Sequence, residues 1–190
     1  MEVALNKELI LNKTACRLFL VTVFVALTSL GAFVRIPLPF SPVPITLQTF
    51  FVLLSASFLG LSLGMVAQLI YILLGLAGLS VFAQTASSLL YLFGPTAGYL
   101  FGFILATLFV GSFIKYARHS FFLVTLVFCL SDILLLSCGT LWLKFAFGFP
   151  LIKSLLLGFI PFIPGDLLKI SLAVPIYLKF NSRVKEILGN

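Results

Sequence analysis

The feature that most restricts this chain is the length of its apolar runs. No Asp, Glu, Lys or Arg stands between Arg17 and Arg35, and none between Arg35 and Lys115. Such runs lack the period-2 alternation of a membrane barrel and have the length of bilayer-spanning helices. Only 9% of the residues are charged and 62% are hydrophobic, whereas soluble domains carry about 25% charged residues. A water-facing surface cannot be assembled from this mixture. The expected fold class is an all-α integral membrane protein, multi-pass in the lipid bilayer.

Six spans are expected, at about 17–36, 46–60, 62–79, 97–116, 121–147 and 152–180, in a single membrane domain covering 1–190 without internal repeat. PLPFSPVP ends the first span, and a tight GLSLG turn separates the second from the third. SVFAQTASSLLYLFGPT then breaks the apolar pattern with Gln84, hydroxylated residues and Gly94-Pro95. Pro161 and Pro164 permit either a kink or a fresh helix start, so residues 151–163 can belong to the sixth helix or to an irregular stretch before it. The leading MEVALNKELILNKTACR is mixed and polar, and no A-x-A site follows the first apolar run. The first span is expected to be retained, not cleaved as a signal peptide.

The net charge of +7 does not indicate nucleic acid, because the cations sit at the ends of apolar segments. Lys7, Lys13, Arg17, Lys115, Arg118, Lys179, Arg183 and Lys185 fall on one side of a six-span chain; Arg35, Lys144 and Lys153 fall on the other. Positive charge marks the inner side, so both termini are expected in the cytoplasm and the chain in the cell's cytoplasmic (inner) membrane. On that topology PLPFSPVPITLQ, SVFAQTASSLLYLFGPT and PFIPGD converge at the outer mouth. Irregular backbone at membrane depth survives only where protein buries it or a cavity meets it, so a pocket opening outward is expected.

Asp166 and Lys169 are the residues best suited to fill that pocket with chemistry. They are spaced i, i+3 on one helical face. Pro164-Gly165 can start a helix, placing Asp166 in its first turn, where the dipole favours it. The Lys169 ammonium can then meet a ligand carboxylate. The alternative is an internal pair that joins two helices, although an ionisable residue inside a membrane points first to function. Asp132, mid-span in CLSDILLLSC, can pair with a distant lysine or be protonated and hydrogen-bonded to a neighbouring helix. Gln84 and Gln48 are neutral amides near the same mouth, and Gln68 lies deeper, as helix-to-helix glue. Tyr91 and Tyr99 flank the Gly-Pro turn, and Trp142 reads as an interfacial anchor. His119 falls at the cytoplasmic end. Cys16, Cys129 and Cys138 read as small apolar packers. Without a phosphate-binding G-x-x-x-x-G-K-[ST] or H-E-x-x-H pattern, no nucleotide hydrolysis, metal or cofactor is expected. No serine near the outer mouth can pair with the single histidine, which disfavours a serine hydrolase.

SPVPITLQTF (41–50), GLSVFAQ (78–84), LFGPTAGYLFGF (92–103) and IPGDLLK (163–169) stand in the order found in BioY proteins, and the resemblance extends to about Lys179. These are the biotin-specific substrate-binding (S) components of energy-coupling factor (ECF) transporters. The resemblance implies a six-transmembrane-helix bundle of the ECF S-component type that binds biotin near its outer face and has no enzymatic activity. It implies as partners a coupling transmembrane subunit and two cytoplasmic ATPases; some members also work without that module. Asp166 and Lys169 match the pair associated with the biotin tail, while Thr96 and Tyr99 come from the GPT-x-GY segment. Gln84 occupies a place held by Asn in relatives, and Ala97 replaces a Gly. Thr22-x-x-x-Ala26 stands where an Ala-x-x-x-Ala contact with the coupling subunit is usual. An S component for another small carboxylate vitamin is the nearest alternative reading. A small intramembrane enzyme built on Asp166 or Asp132 is a more distant one.

Overall fold

The computed structural model describes residues 2–83, 93–117 and 120–188. Helix α1 (Glu2–Phe33) has, among its described side chains, Val21, Phe24, Val25, Thr28 and Ala32 buried in one stripe. Leu18, Phe19, Leu30 and Phe33 point away and are exposed. An apolar helix with one buried face and one exposed apolar face suits a bundle wall facing lipid.

After α1 comes a two-residue ladder of β1 (Arg35–Ile36) with β2 (Ile45–Thr46), antiparallel, with Arg35 opposite Thr46. The loop between them is fastened to α5 (Leu151–Gly158) by the Ser41 hydroxyl, which donates to the Leu157 carbonyl at 2.7 Å.

Helix α2 (Gln48–Leu76) is broken at Gly60, whose φ of 74° and ψ of −173° belong to glycine alone. Contacts on either side show that the chain doubles back there. Gln48 donates to the Tyr71 hydroxyl, Gln68 Nε2 donates to Ser55 Oγ at 2.8 Å, and Gly64 lies against Ala56. Gln68 is thus the inter-helix glue its position suggested. The GLSLG stretch makes a helical hairpin because Gly60 supplies a backbone conformation that a side chain would forbid.

Helices α3 (Ala97–Ala117) and α4 (Phe121–Phe147) pack tightly along Gly98 and Gly102. A Cβ at Gly98 would fall 2.2 Å from Trp142 Cβ, and one at Gly102 would fall 2.8 Å from the Leu135 carbonyl oxygen. A small residue every fourth position lets two backbones approach where water exclusion cannot drive association. Trp142, expected from sequence to be an interfacial anchor, ties α4 to the turn before α3: its Nε1 donates to the Gly94 carbonyl at 2.9 Å.

Residues 151–163 resolve into a fresh start. Gly148 ends α4 in the left-handed conformation, α5 follows, and Ile160–Phe162 make a 3-10 turn through Pro161. Helix α6 (Ile163–Leu188) then begins with Asp166 in its first turn. Five stretches among the described residues are long and apolar enough to cross a membrane: Lys13–Phe33, Gln48–Leu76, Ala97–Ala117, Phe121–Phe147 and Leu151–Leu188.

Candidate functional site

At the end of the bundle that holds the ladder, α2, α3, α4 and α6 enclose a cavity of about 40 Å³. Its polar lining includes Thr46, Gln48, Thr49, Thr96, Tyr99 and Lys169; Val43, Pro44, Leu135, Leu136 and Phe162 supply apolar wall. The three segments expected to meet at one mouth therefore do so as far as they are described. Gln84 and Tyr91 lie outside the described residues.

Lys169 and Asp166 are 8% and 2% exposed, and both charges sit inside the protein. Lys169 Nζ is 2.7 Å from Asp166 Oδ1 and donates to Thr49 Oγ1 at 2.9 Å; the Thr49 hydroxyl in turn donates to Asp166 Oδ1 at 3.1 Å. A buried pair is tolerable only with good geometry and additional hydrogen bonds; Thr49 supplies one to each partner, while Asp166 Oδ2 has no partner among the described residues. Lys169 borders the cavity and Asp166 does not. An ammonium has three N–H donors, and the two bonds to Asp166 and Thr49 leave a third for a group in the cavity. Asp166 behind it and the start of α6 fix where that ammonium stands.

Thr49 was not singled out from sequence. Its partners lie 117 and 120 residues away, and its only local signal is a hydroxyl directly after Gln48 in an apolar run.

The other expected site residues divide by what their polar atoms already do. Tyr99 gives its hydroxyl to the Gly158 carbonyl at 2.6 Å, so it offers the cavity a ring, which lies tilted against Phe162 with centroids 5.8 Å apart. Gln48 accepts from Thr46 Oγ1 at 3.3 Å and donates to Tyr71, whose hydroxyl reaches the Val81 carbonyl at 3.1 Å. This chain of bonds ties the second helix to the segment before Gln84. Thr96 differs: its buried Oγ1 has no hydrogen-bond partner among the described residues, and the side chain lines the cavity. A buried hydroxyl without a partner is costly, so it marks a place where a polar ligand atom is welcome.

Asp132 does not border this cavity. It lines a separate, apolar space of about 230 Å³ between α4 and α6, with Ile133, Phe159, Ile163 and Leu167. Leu136, one turn along α4, belongs to both linings and divides them. Among the described residues no group of three or more His, Cys, Asp or Glu is placed to hold a metal.

The sequence model of the BioY family matches residues 5–186. Over 158 residues the chain is 42% identical to "Biotin transporter BioY" of Thermotoga maritima, covering 83% of this chain and 90% of that protein. It is 40% identical over 155 residues to "Probable biotin transporter BioY" of Pyrococcus horikoshii, covering 82% and 90%. A crystal structure described as the S-component for biotin from an ECF-type ABC transporter superposes with a TM-score of 0.84 at 27% identity, over 90% of this chain and 93% of that one. With the motifs in order, the same bundle, and a family match across nearly the whole length, the chain belongs to the BioY family.

Proposed function

We propose that this chain is the membrane-embedded biotin-binding S component of an ECF-type transporter and serves biotin uptake. The observation that carries this reading is the Lys169 ammonium. It is buried and oriented by Asp166 and Thr49, and it borders an otherwise mainly apolar cavity. Biotin has an anionic tail, an aliphatic middle and a ureido head with two donors and one acceptor. Lys169 meets the tail, and Val43, Leu135, Leu136 and the Tyr99 ring meet the middle. The Thr96 hydroxyl, Gln48 and Gln84 are the groups for the ureido. A few precisely placed polar groups in an apolar wall is the usual construction of a small-molecule site. The cavity's 40 Å³ is room for about three waters at ~10–15 Å³ each, so biotin must part the walls as it docks.

The topology follows the same reading. Counting the two arms of α2 around Gly60 as separate spans gives six crossings in all. Both termini are then cytoplasmic, in the cell's cytoplasmic membrane, with the site at the outer mouth. The opposite end supports this orientation, because Lys115 and Lys185 border a pocket beside Gly60 there, and Arg17 donates to the Leu188 carbonyl at 3.1 Å. A coupling transmembrane subunit and two cytoplasmic ATPases are the partners. On α1, Thr22 and Ala26 are both exposed on one face, and the Thr22 hydroxyl is already bonded to the Leu18 carbonyl at 3.0 Å. That leaves a flat, small-residue surface for a partner helix. The test is retention of labelled biotin by the detergent-purified chain, chemically unchanged on recovery. Failure to retain it at micromolar concentration contradicts the proposal.

A further inference from the structure

Outside the Lys169 cavity lies a second space of about 250 Å³, bordered by Arg35, Leu38, Ser41, Pro44 and Ala83 among others. Pro44 and Ala83 line both spaces, so these two residues form the rim between an outer vestibule and the inner site. Arg35 stands directly opposite Thr46 across the ladder. Cβ atoms of such pairs are ~4.5–5.5 Å apart, and Thr46 lines the inner cavity. Arg35, the one cation of the vestibule lining among the described residues, is thus a single residue pair away from the site that holds Lys169.

We propose that this vestibule is an approach subsite, in which Arg35 first captures the carboxylate of an anionic ligand before it passes the Pro44–Ala83 rim to Lys169. The inference rests on the reading of the inner site as a carboxylate site. Arg35 is exposed, and one of its N–H groups donates to the Ala83 carbonyl. A guanidinium has five N–H donors in a planar fork, so donors remain for a carboxylate, which it can take side-on. Among the described residues no acid forms an ion pair with it. The chain has five, of which Glu2, Glu8 and Glu186 lie near its ends, while Asp132 and Asp166 are buried. A vestibule with one sign of charge and low-dielectric walls raises the local concentration of a counter-charged ligand and its association rate. The bond to Ala83 gives a competing, structural role, in which Arg35 only fastens residues 81–83 to the ladder.

Arg35→Gln removes the charge, Arg35→Lys keeps it, and neither retains the terminal guanidinium nitrogen that donates to Ala83, so the two variants together separate the roles. Association and dissociation rates are measured by stopped flow for biotin and for biotin carboxamide, on the purified full chain. They are taken at 10 mM and at 1 M salt, where the screening length falls from ~30 Å to ~3 Å. For the unaltered protein, biotin association slows with salt and carboxamide association does not. At 10 mM salt, Arg35→Gln slows biotin association about three- to ten-fold, leaves its dissociation within about two-fold, and leaves the carboxamide untouched. Arg35→Lys retains most of the rate. Unchanged biotin association in Arg35→Gln, an equal slowing of both ligands, or an effect confined to dissociation overturns the approach role. Should Arg35→Gln lower the melting temperature, Arg35→Lys and the salt contrast between the two ligands decide, and identical salt dependence overturns it. If the unaltered chain binds neither ligand, the inner-site reading has failed, a result distinct from a failure at Arg35.

Discussion

The α3–α4 interface makes a graded prediction whose size can be read from distances. At Gly98 an added methyl would fall 2.2 Å from Trp142 Cβ and 2.8 Å from the Cys138 carbonyl oxygen. Carbon atoms rest at about 3.5–4.0 Å, so the helices would have to separate by more than 1 Å, and neither obstacle is a movable side-chain tip. At Gly102 the nearest atom is the Leu135 carbonyl oxygen at 2.8 Å. At Gly64, inside the α2 hairpin, the nearest are Ala56 Cα and Thr107 Cγ2, both at 3.2 Å, a few tenths short of normal contact. Overpacking costs about 1–3 kcal/mol, while replacing a helical glycine by alanine returns about 1 kcal/mol of propensity. Gly64→Ala should therefore be near neutral, Gly102→Ala intermediate, and Gly98→Ala destabilised by about 2 kcal/mol net. Thermal unfolding in detergent gives the order. Affinity adds a second readout. Thr96 directly precedes α3, α3 carries Tyr99, and α4 carries Leu135 and Leu136, all on the cavity wall. Forcing the two helices apart should weaken biotin in Gly98→Ala even well below its melting temperature. Equal stability of the three variants would refute the close-packing argument.

Two further outcomes follow from the site and the topology. Thr96→Val removes a buried hydroxyl that has no partner among the described residues; it should raise the melting temperature slightly and weaken biotin about three- to ten-fold, and a loss of both would show a structural bond instead. With Cys16, Cys129 and Cys138 first replaced by alanine, Ser41→Cys should react with an impermeant thiol reagent applied from outside and Arg118→Cys should not; the reverse pattern overturns the orientation.

What the sequence made legible is what depends on near neighbours. Pro164-Gly165 announces a helix start, so Asp166 in the first turn of α6 and Lys169 one turn on follow from local rules. Gly60 announces a reversal because no other residue holds its backbone angles cheaply. Thr49 was hidden because its hydrogen bonds close across 117 and 120 residues, and a threonine early in an apolar helix has many readings. Residues 151–163 were undecidable for a related reason. Two prolines allow a kink or a restart, and tertiary ties such as Ser41 to Leu157 and Tyr99 to Gly158 accompany the restart. Asp132 and the Lys169 cavity occupy different sides of Leu136, a division that hydropathy alone cannot express.

The central claim is that Lys169 neutralises the ligand carboxylate while Asp166 and Thr49 hold it in place. The direct test titrates biotin and biotin carboxamide against the unaltered protein, Lys169→Met and Asp166→Asn, with melting temperature as the control for folding. A hydrogen bond to a charged group contributes about 1.5–3 kcal/mol, roughly ten- to a hundred-fold in affinity. Lys169→Met should weaken biotin by that factor or more and the carboxamide much less. Asp166→Asn should be milder, because it leaves the cation in place and its amide oxygen can still accept from Lys169 and Thr49. Equal losses for acid and amide in Lys169→Met would contradict the carboxylate assignment and reduce the pair to a structural tie between α2 and α6.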